Sequence, residues 1–60
     1  MIVVFTEITR SGPRQIRKMD LPCVPTLSDY VELGALAYSV YRVIHRPDDG
    51  VVDVQIVRSI

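Results

Sequence analysis

The chain reads as an all-β domain, a five-stranded small barrel, and three features predict it. Val and Ile are plentiful, breakers recur at short intervals, and no segment keeps helical periodicity for longer than a turn. Sixty residues make one domain spanning 1–60. A chain this short buries only about 60% of the surface its unfolded form exposes, so oligomerisation or docking on a partner gains weight.

The elements follow in order. IVVFTEIT (2–9) forms a first strand, and Ser11-Gly12-Pro13 breaks it. RQIRKMDL (14–21) forms a second. In LPCVPTLSD, Pro22 and Pro25 lack amide donors, so this stretch is an extended loop rather than a central strand. YVEL (30–33) and LAYSV (36–40) flank Gly34-Ala35, and glycine in the first central place signals a type II′ hairpin. Leu33 then pairs with Leu36 and Val31 with Tyr38, all on one face. Pro47-Asp48-Asp49-Gly50 makes the last turn, with Pro setting φ and Gly supplying positive φ. It sets Arg46 against Val51, His45 against Val52, Val43 against Val54 and Tyr41 against Ile56.

The two hairpins impose opposite phases on the strand they share. The first sends Tyr38 and Val40 inward, and the second sends Tyr41, Val43 and His45 inward with Val52, Val54 and Ile56. One extra residue near Tyr41–Arg42, a β-bulge, reconciles them and supplies the bend a small barrel needs.

Bulk chemistry narrows the functional classes. Seven Lys and Arg balance seven Asp and Glu, so no overall charge calls for nucleic acid or membrane. The lone Cys23 excludes an internal disulfide, and one Cys with one His is too few for an ordinary structural zinc site. No metal or other cofactor is expected. No basic segment followed by a long apolar one opens the chain, and its apolar runs are too short to span a bilayer. A free thiol and no such leader predict a cytoplasmic protein without membrane contact.

The stretch 21–47 resembles a pattern found in short phage and bacterial proteins with an SH3-like barrel. The matching positions are Leu21, Pro22, Val24, Pro25, Asp29, Val31, Leu33, Tyr38, Val40, Val43, His45 and Pro47. Ser28 stands where the pattern has Gly, and Gly34-Ala35 where it has Asp-Gly. The resemblance implies a five-stranded SH3-like fold and a phage or mobile-element origin, but no activity, because the positions it covers are mostly turn and core.

Four groups of residues carry candidate chemistry. Cys23 and His45 suggest a nucleophile–base pair, but no third residue is evident to orient the base, so no catalytic residue is assigned. The ordinary reading makes Cys23 a small hydrophobe and His45 an inward cap on a loop carbonyl. Val54-Gln55-Ile56 resembles the strand tripeptide of the plasmid-borne trimethoprim-resistant dihydrofolate reductases, short SH3-like chains whose pore exists only in the tetramer. Val57 replaces that family's Tyr, and an oligomeric pore enzyme stands as the enzymatic alternative.

Arg10, Arg14, Arg17 and Lys18 give residues 10–18 four cations and no acid, a hairpin able to meet phosphates. Tyr30 or Tyr41, if exposed, could stack a base. The ordinary reading is a solvated charged hairpin. Lastly, Ile44 and Val57 point outward after the bulge, and Ile2-Val3-Val4-Phe5 is apolar on both faces. Such a surface calls for cover. The reading that results is a non-enzymatic protein-binding barrel, a homo-oligomer or the ligand and inhibitor of a host or phage protein. Val3, Phe5, Ile44 and Val57 are its expected anchors, and Arg42 and Arg46 its rim.

Overall fold

The computed structural model of the protein describes residues 1–59. Its five strands are β1 (Ile2–Thr9), β2 (Gly12–Asp20), β3 (Tyr30–Leu33), β4 (Leu36–Arg46) and β5 (Val51–Arg58). They form one sheet in the order β2-β1-β5-β4-β3, strongly curled into a half-barrel of the small SH3-like kind. Neighbours pair antiparallel except β1 and β5, which run parallel, Ile2 beside Val51 through Glu7 beside Ile56.

Both predicted tight turns are present. Gly34 adopts φ +65° and Ala35 keeps a negative φ, and the register pairs Leu33 with Leu36 and Val31 with Tyr38. Gly50 closes the last turn at φ +69°, and Arg46, His45 and Val43 meet Val51, Val52 and Val54. The bulge stands where the phase conflict demands it. Val40 pairs with Ile56 and Arg42 with Gln55, which leaves Tyr41 as the extra residue. The expected Tyr41–Ile56 pair is thus replaced by Val40–Ile56.

β2 starts earlier than its breakers suggest. The turn is only Arg10-Ser11, and Gly12 and Pro13 already pair with Thr9 and Ile8. Proline is tolerated because β2 is an edge strand, whose free side needs no donor. A second bulge, at Ile16, lies between the Phe5–Arg17 and Thr6–Gln15 pairs.

The core fills the concave side. Val3, Phe5, Tyr38, Val40, Val52, Val54 and Ile56 are buried, with Ile16, Met19, Leu21, Val24, Val31, Leu33 and Val43 packed around them. Residues 21–29 cross this side as the expected loop and dock on β4. The Val40 amide donates to the Asp29 carbonyl (2.9 Å) and the Ser28 amide to the Val40 carbonyl (3.1 Å).

Two placements differ from the sequence expectation. Val3 and Phe5 are core residues, 0% and 1% exposed, and cannot anchor a partner. His45 keeps the inner phase opposite Val52, but its side chain is exposed because the core ends at that rung.

Candidate functional site

The convex, outer face of the sheet is built by alternation. When Val3 and Phe5 turn inward, Ile2, Val4, Thr6 and Ile8 turn outward, and on β5 the outward set is Val51, Asp53, Gln55 and Val57. Ile44 joins them opposite Asp53, between Arg42 opposite Gln55 and Arg46 opposite Val51. Ile2, Val4, Ile8, Ile44, Val51 and Val57 are each half-buried, and among the described residues no segment covers them. Ile44 and Val57 thus lie on the predicted surface, and its β1 contribution is Ile2 and Val4 instead of Val3 and Phe5.

A polar knot sits within this face. Asp53, 9% exposed, accepts a hydrogen bond from Thr6 Oγ1 (2.9 Å) and a longer one from Arg46 Nη2 (3.3 Å). Val4 on one side and Ile44 on the other flank it, so the carboxylate is held by side chains of β1 and β4 among apolar neighbours. Arg46 is therefore committed within the fold, whereas Arg42 makes no ion pair among the described residues and lies 5.4 Å over the Tyr41 ring.

The basic hairpin does not gather its cations on one surface. Arg10 is at the turn. Lys18 pairs with Val4 on the outer face, while Arg14 and Arg17 pair with the inward positions Glu7 and Phe5. Glu7 itself is 5% exposed, held between Arg14 Nη2 at 3.9 Å and Arg58 Nη2 at 3.7 Å. A buried carboxylate needs such partners, so one of the four hairpin cations already serves the fold.

A groove of about 620 Å³ runs between the loop and the bulged part of β4, lined by Val24, Pro25, Thr26, Leu27, Tyr41, Arg42, Val43 and His45. Leu27 (64% exposed) and Tyr41 (52%) are large apolar groups left open there. The loop wall is fixed by Asp29, whose carboxylate accepts from the Thr26 amide and hydroxyl, both at 2.8 Å. These bonds, the backbone one foremost, hold the Asp29 pKa below its ordinary value.

The remaining candidates do not converge. Cys23 is exposed and, unlike His45, takes no part in the groove, and no hydrogen bond joins the two among the described residues. Of Val54-Gln55-Ile56, only Gln55 faces outward, beside Thr6 and Arg42. Tyr30 is exposed on edge strand β3. The groove escapes sequence reading because residues 24–27 and 41–45 meet only through the loop's docking on Val40.

No protein-family model, curated protein or solved structure matches the chain. Among the described residues, no helix is long and apolar enough to cross a membrane.

Proposed function

We propose that this chain is a non-enzymatic protein-binding module that packs the outer face of its sheet against a second protein surface. A copy of itself is the first partner to consider, and a host or phage protein, bound as an inhibitor binds, the second. One observation carries the reading: Val4, Ile8, Ile44 and Val57 lie half-buried on a face formed by three adjacent strands, β1, β5 and β4, with no covering layer among the described residues. A sheet commonly buries such a face against another layer, and in a chain this small a second chain is the economical source.

The contact has an apolar centre with Arg42 and Arg46 at its β4 margin, an arrangement that suits a desolvated core with a polar rim. The nucleic-acid reading through Arg10, Arg14, Arg17 and Lys18 ranks below it, because those side chains diverge and Arg14 is engaged with Glu7. The pore enzyme ranks lower still, since its support is a tripeptide with two residues in the core. Sedimentation of the wild-type chain at micromolar concentration tests the self-contact. A pull-down from cells of the source organism, with the mass of the complex measured, tests the other. A monomer that also captures no protein retires the reading.

A further inference from the structure

We infer that the β4 groove is a docking channel for an extended, acidic–apolar segment of a partner protein, which adds to the open edge of β4 as a strand. The inference rests on the protein-binding reading above but uses the groove instead of the outer face, and the two surfaces share only Arg42, at their common β4 margin. Three observations carry it.

The first is an unpaired edge. On its β3 side, β4 is paired through Ser39, and Val40 is bonded to Asp29 and Ser28. Beyond Val40, no strand or loop backbone pairs with this side of β4 among the described residues, although β4 continues to Arg46. Unpaired strand backbone is a template for strand addition, and proteins that leave one uncovered use it for extended peptides.

The second is the apolar lining that borders this edge. Tyr41, expelled by the bulge, and Leu27 across the groove are exposed, while Val24 and Val43 floor the space from the core side. An extended segment presents alternate side chains to opposite sides, so a regularly spaced apolar residue reaches this lining while the peptide backbone follows β4.

Charge is the third. Arg42 and His45 line the groove and no Asp or Glu does. The neighbouring Asp29 is engaged by Thr26, and Arg46, next along the strand, by Asp53. Arg42 has no competing carboxylate among the described residues. An acidic side chain on the incoming segment gains a charge-assisted bond there, and a basic one is repelled.

The test is selection of displayed random heptapeptides on the intact chain, followed by amide chemical-shift mapping with a synthetic copy of the winner. The account expects winners that alternate apolar and acidic residues, with shifts centred on Val43, His45 and Leu27. Arg42→Glu should weaken the winner about tenfold or more, the loss of a charge-assisted contact. Leu27→Ser, an exposed change, should also weaken it. Basic or patternless winners, no winners at all, or shifts centred on Ile8 and Val57 overturn the inference. So do shifts at Tyr41–His45 that grow with protein concentration alone, since a second copy would then fill the groove. Val57→Lys separates the two claims. It should abolish outer-face association and leave peptide binding intact, so each can fail without the other.

Discussion

Asp53 is bound from both neighbouring strands, by Thr6 at 2.9 Å and by Arg46 at 3.3 Å, on a sheet face that is otherwise largely apolar at its centre. The two donors differ in setting. Arg46 is about half exposed, so its ion pair is screened by water and contributes modestly. Removing the carboxylate leaves the part-buried Thr6 hydroxyl without its partner, while the Arg46 guanidinium turns to water. Asp53→Ala should therefore cost on the order of 1–3 kcal/mol in urea unfolding, and Arg46→Ala under about 1 kcal/mol. The reverse order would mean that Arg46 carries the knot.

Val3, Phe5 and Glu7 share the inner phase of β1, and that row should dominate stability. Phe5→Ala should cost about 3–5 kcal/mol. A domain of this length holds roughly 3–9 kcal/mol in total, so the variant should be largely unfolded by circular dichroism. Val4→Ala, one residue away on the outer face, should leave a folded domain. Equal damage from both would mean that the outer face is already covered within the monomer.

That row also shows where the sequence falls short. Ile2-Val3-Val4-Phe5 is apolar at both parities and leaves the inward phase open, and Glu7, a charged residue, shares the parity of Val3 and Phe5. The fold buries the row and neutralises its end with Arg14 and Arg58, one from each neighbouring strand. The parallel β1–β5 pairing that brings Arg58 there is a long-range fact that no local pattern encodes. By contrast, Gly34-Ala35 and Pro47–Gly50 fix their registers locally, and the conflict between those registers located the bulge to within a residue. The outer face was half legible: Ile44 and Val57 follow from the last turn, while Ile2 and Val4 follow only once β1 is placed.

Asp29 gives the loop a pH dependence of known sign. Its folded pKa lies below the ordinary 3.8, chiefly through the Thr26 amide bond and then the Thr26 hydroxyl. Folding therefore favours the ionised form. The stability this adds is present above the ordinary value and is lost as pH falls through the lowered folded value. Unfolding midpoints followed downward from mildly acidic pH should drop less steeply for Asp29→Asn than for wild type. An unchanged slope would show that the Thr26–Asp29 contact is not maintained in solution.

The diverging cations of the first hairpin bear on the nucleic-acid reading. If residues 10–18 contact phosphates, Arg14→Ala with Arg17→Ala should lower the slope of log K against log salt by about 2. The geometry predicts instead little binding of DNA or RNA at low salt, measured by fluorescence anisotropy. Tight binding with that slope change would promote the alternative over the protein-binding reading.

Val43 and Ile44 are adjacent in β4 and lie on opposite faces, which makes them the sharpest probe of the central claim. At concentrations that keep the chain monomeric, Val43→Ala should cost on the order of 1–2 kcal/mol and Ile44→Ala clearly less, because only the first packs against the core. The most direct measurement is sedimentation equilibrium of wild type beside Ile44→Ala. The account predicts self-association of the wild-type chain at micromolar concentration, weakened about tenfold by the lost apolar burial at Ile44. A wild-type chain that stays monomeric, or an Ile44→Ala variant that associates just as tightly as wild type, would contradict a self-contact of the outer face centred on Ile44 and Val57.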